Sequence, residues 1–366
     1  MSDRLLVSTR KGLFSMVRDG SWWNVERVSH LGQNVSLALH DARDGATYAC
    51  LSLGHFGVKL QKSRDGGATW EEQPAPAFPK KPDDVVETLP DGRPWPWRVE
   101  SIWSLEPGGA PGELWAGTIG GGLFRSRDAG ASWHLIHTLW NHPMRKEWSG
   151  GGADLPGIHS VLVDPRDAHT VRIGISCGGM WQSDDGGETW RVSAKGMFAA
   201  YMPPQRAHEE NVQDPHRIVQ CKARPDRLWT QHHNGVFRSD DGGKNWTSID
   251  NVKPAVFGWA VAVHPTEPDT AWLVPAIKDE LRVPVDARVV VARTRDAGKT
   301  WDVLTKGLPQ NGAYDIVYRH ALDVDATGTR LAMGSTTGSL WTSDNGGDSW
   351  TCVSNHMPPI YAVRFA

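Results

Sequence analysis

Along this chain, apolar and polar residues alternate in short runs separated by turn residues, which is the pattern of half-buried β-strands. Three kinds of run recur in a constant order. The first comprises VSLALH from Val35, ESIWSL from Glu100, HSVLVD from His159, HRIVQC from His216, WAVAVH from Trp259 and a weaker RHALDV from Arg319. The second is an apolar run such as LLVST, ELWAGT, VRIGIS, RLWTQ and RLAMGS, and the third is GLFS, GLFRS, GMWQS, GVFRS or GSLWTS. Each set reads as a β-meander. The N-terminal set lacks a run of the first kind, and the chain ends in an unmatched one, YAVRFA from Tyr361. Residues 361–366 are therefore predicted to pair with residues 4–9, which leaves no sheet edge exposed.

The third run leads into nearly the same eight residues six times: SRDGGATW from Ser63, SRDAGASW from Ser126, SDDGGETW from Ser183, SDDGGKNW from Ser239, TRDAGKTW from Thr294 and SDNGGDSW from Ser343. A worn seventh copy is SMVRDGSW, from Ser15 to Trp22. In this motif Asp65, Asp128, Asp185, Asp241, Asp296 and Asp344 read as acceptors for backbone N–H groups a residue or two onward. The glycine two positions later takes the positive φ of a tight loop. The closing tryptophan starts the returning strand and wedges into a neighbouring sheet. These octapeptides resemble the Asp-box, or BNR, repeat of sialidases, sortilin-type receptors, xyloglucan-degrading glycosidases and photosystem assembly factors, over almost the whole chain. The resemblance implies a propeller in which the motif is a fold element far from the site. Repetition decides the fold. Seven units predict an all-β fold, a single seven-bladed β-propeller over residues 1–366, closed by the C-terminal strand pairing with the N-terminal strands.

Composition changes this picture little. A formal charge of −3 offers no basic stripe, so no nucleic-acid partner is expected. No run is long and apolar enough for a membrane partner. The N-terminal MSDRLLVSTRKGLF shows no cleavable signal and is consumed as strand, and Cys50, Cys177, Cys221 and Cys352 fall in different units, so unpaired thiols and a cytoplasmic location are expected. Oligomeric state is left open.

Topology places the octapeptides on one face and the loops entering the inner strands on the other. Those loops are long at about 71–98, 134–157 and 191–214, and a hairpin excursion at 276–287 joins them. Long loops clustered on one side read as a pocket wall. Inner-strand starts are expected to face the channel, which lines up Val35, Glu100, His159, His216, Trp259, Arg319 and Tyr361, with Arg98 and Asp214 two residues earlier on the same face. Hairpin loops add His55, Cys177, His232, His233, Arg10 and Lys11. Glu100, His159 and His216, with His232 or His233 as a fourth ligand, can hold a divalent transition metal, or else hydrogen-bond buried water and backbone. Arg10, Lys11, Arg98 and Arg319 can clamp a carboxylate or phosphate, or pair with Glu100, Asp214 or Asp315. Trp95, Trp97, Trp140, Trp148, Phe198 and Tyr201 can stack on sugar rings, although four of the six are expected to be buried to order their loops.

The expected catalytic set is thus Glu100, His159, His216, Arg319 and Tyr361. The substrate-binding set is Arg10, Lys11, Arg98, His55, Asp214 and Trp259. The reading is a hydrolase or lyase with a polar, metal-assisted pocket for a small anionic or carbohydrate-like ligand. One alternative is a non-catalytic scaffold that binds a peptide or assists assembly. Another is a sialidase-like glycosidase, by fold analogy only. The sialidase carry-over lacks an Arg-Ile-Pro element and has seven units in place of six. The resemblance to xyloglucan-degrading enzymes implies a carboxylate pair, for which Glu209, Glu210, Asp214 and Asp154 are the candidates.

Overall fold

The structure, a computed structural model, describes residues 2–151 and 154–366. It is all-β. Among the described residues the strands form five four-stranded sheets and one of eight strands, the latter two meanders joined where Gly157 pairs with Ile119. The inner strands are β1 (Val35–Asp41), β2 (Ser101–Pro107), β3 (Gly157–Asp164), β4 (Pro215–Gln220), β5 (Gly258–Val263), β6 (Leu322–Val324) and β7 (Ile360–Phe365). Each lies against the next, and β7 lies against β1. Strand β7 also pairs antiparallel with Arg4–Thr9, Val7 opposite Val363 and Leu5 opposite Phe365. Leu5, Val7, Ile360 and Val363 are buried together there, each contributing about 1.5–3 kcal/mol of burial.

The octapeptides make one repeated turn. Ser63 Oγ accepts the Gly67 N–H (2.8 Å), while Asp65 Oδ1 accepts the Thr69 N–H (2.9 Å) and Oδ2 the Thr69 hydroxyl (2.6 Å). The carboxylate therefore reaches four residues on, not one or two, because two consecutive residues in the left-handed region, Gly66 and Gly67, fold the chain back over it. Ser183 with Asp185, and Thr294 with Asp296, repeat the geometry. In the last copy the acceptor is Asn345, whose Oδ1 takes the Ser349 N–H (2.9 Å), and Asp344 instead pairs with Arg18 and Arg330. The worn copy is an ordinary hairpin in which Asp19 pairs with Trp22.

Successive sheets interlock through these turns. The carbonyl of the first left-handed residue accepts a cationic side chain from the preceding sheet: Lys62 to Ala129 (3.2 Å), Arg125 to Gly186 (3.0 Å), Arg172 to Gly242 (2.9 Å) and Arg293 to Gly346 (2.8 Å). In the turns at Gly187 and Gly298 the second left-handed residue abuts a tryptophan. A Cβ at Gly187 would stand 3.3 Å from Trp115, and one at Gly298 3.4 Å from Trp229.

The long loops fold back on the body. Trp95, Trp140 and Trp148 are buried and Trp97 is half-buried, with the Arg145 guanidinium 3.9 Å over the Trp140 ring and paired with Glu87. Residues 152 and 153 of the 134–157 loop lie outside the described residues. The four cysteines are unpaired. Among the described residues no helix is long and apolar enough to cross a membrane.

Candidate functional site

A shared irregularity of the inner strands builds the site. Near the start of β1, β2, β3, β4, β5 and β7 the ladder slips, leaving Ser36, Trp103, His159, His216, the Trp259 region and Tyr361 without a cross-strand partner. A bulge re-aims the extra side chain and bends its strand. Ser36, Trp103 and Tyr361 line a cavity of about 220 Å³ at the channel, and the rings of His216 and Trp259 stack 5.8 Å apart. Two residues expected in this row are not there. Val35 gives way to Ser36, and Glu100 to Trp103, since the bulge and not the first strand residue marks the channel position. Glu100 lies ahead of β2 and is ion-paired with Arg98, whose side chain is 74% exposed.

Hydrogen bonds cross the channel beside the cavity. His320 Nε2 donates to the His159 carbonyl (2.7 Å), and Arg217 donates to the same oxygen (3.0 Å). Next to His320 in the chain is Arg319, 8% exposed and part of the cavity lining, with its guanidinium 4.8 Å over the Trp103 ring. Among the described residues it has no ion pair or hydrogen bond, and its Nε is buried without a partner. Burial lowers its pKa, but an arginine stays charged. A buried, unpaired cation costs several kcal/mol unless a counter-ion joins it. Beside it stand hydroxyls, the Ser52 and Ser101 Oγ atoms 2.9 Å apart and Tyr361, together with Asn34.

Next to this pocket, β4 and its hairpin partner bring three groups together. Pro215 pairs with His232, and the His233 N–H donates to the Asp214 carbonyl (2.9 Å), so the segment entering β4 faces the hairpin tip. Asp214 Oδ1 accepts from the Cys177 N–H (3.1 Å) and lies 3.2 Å from the Ser176 hydroxyl. Its Oδ2 faces His216 Nε2 at 3.6 Å and His233 Nδ1 at 3.5 Å. Burial alone would raise the Asp214 pKa, yet its two imidazole neighbours and Arg319 hold it well below the carboxylate range. His233 is pushed up by Asp214, whereas burial keeps His216 down. Asp214, expected to touch substrate, to pair with an arginine or to serve as one of a carboxylate pair, is the hub of this group.

The remaining candidates sit elsewhere. His159 is fully buried, with Nδ1 2.9 Å from Ser160 Oγ, its ring edge-on to Trp103 at 5.7 Å and its Nε2 unpartnered among the described residues. His232 is held by backbone, Nε2 3.0 Å from Asp214 N and Nδ1 3.0 Å from Asn234 N, and burial lowers its pKa to about 3. Glu100, His159 and His232 are thus absent from the cluster of ligand atoms, which Asp214, His216 and His233 form. Arg10, Lys11 and His55 are exposed, the His55 ring tilted against Phe56 with centroids 3.9 Å apart. Tyr201 packs on His233 at 5.1 Å.

No family model matches the chain. It is 26% identical over 270 residues to the probable oligoxyloglucan-reducing end-specific xyloglucanase of Neosartorya fischeri, covering 66% of this chain and 30% of the relative. It is 25% identical over 271 residues to a xyloglucanase of Paenibacillus sp, covering 66% and 24%. The chain therefore spans less than a third of the length of these curated relatives. Among solved structures, it is similar to the GH74 xyloglucanase of Xanthomonas campestris with a TM-score of 0.65 at 15% identity, over 97% of this chain and 53% of that one. The fold is a β-propeller. A functionally unknown protein of Desulfotomaculum acetoxidans shares this propeller's architecture end to end, with a TM-score of 0.58 at 9% identity over 100% and 99% of the two chains.

Proposed function

We propose that the chain is one closed seven-bladed propeller whose channel-mouth pocket binds a small carbohydrate-like anion, such as a sugar acid, and acts on it as a hydrolase or lyase. The observation that carries this reading is Arg319, a buried guanidinium that among the described residues makes no direct ion pair or hydrogen bond and feels the Asp214 charge only from a distance, at a cavity edged by serine and tyrosine hydroxyls. A carboxylate is its natural complement, since the planar fork accepts both oxygens. Hydroxyls of the ligand meet Ser36, Ser101 and Tyr361. The adjoining Asp214, His216 and His233 supply charge and lone pairs for activating a ligand hydroxyl or a water.

The xyloglucanase relatives support a carbohydrate ligand. They also support a glycoside hydrolase-like reading, for which Asp214 is the carboxylate beside the cavity, the lining itself holding none among the described residues. A thermal-shift panel of uronic acids against their neutral parent sugars tests the reading. Uronates should raise the melting temperature of the wild type and leave Arg319→Gln unmoved. Equal shifts for acid and neutral sugar would remove the anionic part of the proposal.

A further inference from the structure

We propose that Asp214, His216 and His233 bind one divalent first-row transition metal ion at the channel mouth. The inference goes beyond the ligand reading and does not depend on it. The donor set is two imidazole nitrogens and one carboxylate oxygen, all mutually within 4.8 Å. Around an ion with bonds of about 2.1 Å and tetrahedral angles, neighbouring donors stand roughly 3.4 Å apart. Here Asp214 Oδ2 is 3.6 Å from His216 Nε2 and 3.5 Å from His233 Nδ1.

The groups behind these donors are arranged as a metal requires. His216 Nδ1 lies 2.7 Å from the Gly258 carbonyl oxygen, which only accepts, so Nδ1 carries the proton. In the neutral ring Nε2 then turns its lone pair toward Asp214. A cation placed between them would bond to that lone pair and to Asp214 Oδ2 together. Asp214 Oδ1 accepts the Cys177 N–H and lies 3.2 Å from Ser176 Oγ, whose one proton it shares with the Gly151 carbonyl at 2.7 Å, which leaves Oδ2 as a single outward donor. Hydrogen-bonded outer partners of this kind orient ligands and raise their basicity. His233, 26% exposed, is the most open of the three corners, where a water or ligand would complete the coordination. Three protein ligands with an open position are the form of a catalytic centre, and an ion here would polarise a bound water or a ligand hydroxyl. His232 stays out of the set because both of its nitrogens lie 3.0 Å from backbone N–H groups, Asp214 and Asn234, and its one acceptor lone pair is taken by one of them.

The test uses full-length protein without a His tag, measured without any sugar. Stripped protein is titrated with Zn²⁺, Mn²⁺ and Co²⁺, and metal content is read by elemental analysis after buffer exchange. About one ion per chain is expected for at least one of these metals, together with a rise in melting temperature and, for Co²⁺, a visible d–d band of a low-symmetry site. His233→Gln, on the most open corner, should fold and lose the ion, and Ser176→Ala should weaken binding by roughly 10-fold. Absence of all three metals from correctly folded wild type overturns the proposal, as does stoichiometric metal retained in His233→Gln. Sugar-acid shifts measured on the stripped protein report on Arg319 separately, so failure of either reading leaves the other visible.

Discussion

At the scale of single residues, position relative to the bulge decides what a side chain does. Glu100 and Trp103 are three residues apart, yet one is an ion-paired group near the surface and the other forms the wall on which Arg319 rests. Glu100→Gln is therefore expected to change stability by less than about 1 kcal/mol, as for an exposed ion pair, and to leave ligand and metal binding intact. Chemical denaturation and the two binding assays check this. A large loss of either binding in a folded Glu100→Gln would restore Glu100 to the site. Asp214 makes the opposite case. It gathers Ser176, Cys177, His216 and His233, so its neutralisation by Asp214→Asn should abolish metal uptake even where the fold survives.

At the scale of elements, the octapeptide turn is self-contained. The Asp185 carboxylate takes the Thr189 N–H and hydroxyl, and Asp185→Ala should cost about 1 kcal/mol, the size of a lost cap, in a urea or thermal melt. Asn345 performs the same task with an amide, so Asp185→Asn should stay within about 0.5 kcal/mol of wild type. The bonds from Thr189 and Ser183 lower the Asp185 pKa from 3.8 to about 2. A depressed carboxylate contributes stability that is fully present above its unfolded value and is lost as pH falls through the folded one. Acid unfolding should thus set in between about pH 4 and pH 2, and Asp185→Asn should remove that turn's share of the slope. A pH-independent difference between wild type and Asp185→Asn would contradict the assignment. These turns, and the strands before them, were legible in sequence because each carries its own hydrogen-bond acceptor and left-handed glycine. The site was only partly legible. Alternation shows which residues share a face but not which residue a bulge leaves unpaired, and the bulges fall at His159, His216, the Trp259 region and Tyr361 but at Ser36 and Trp103 in place of Val35 and Glu100. The Asp214–His233 contact depends on hairpin register, and Pro215 opposite His232 is the pairing that would have revealed it.

At the scale of the whole molecule, closure and function are linked, because β7 brings Tyr361 to the cavity and completes the sheet begun by Arg4–Thr9. Deleting residues 360–366 removes that strand and the burial of Ile360 and Val363, and should give insoluble or non-cooperatively unfolding protein. A soluble truncation with wild-type cooperativity would contradict the closed ring. The central claim is that the channel mouth is an anion site organised by Arg319. Its most direct test is isothermal titration of wild type and Arg319→Gln with a uronic acid and with the matching neutral sugar. The account expects the acid to bind wild type and to lose roughly 10-fold or more in affinity with Arg319→Gln, the size of a lost charge-assisted pairing, while the neutral sugar is indifferent to the substitution. Equal affinity of both proteins for the acid would contradict it.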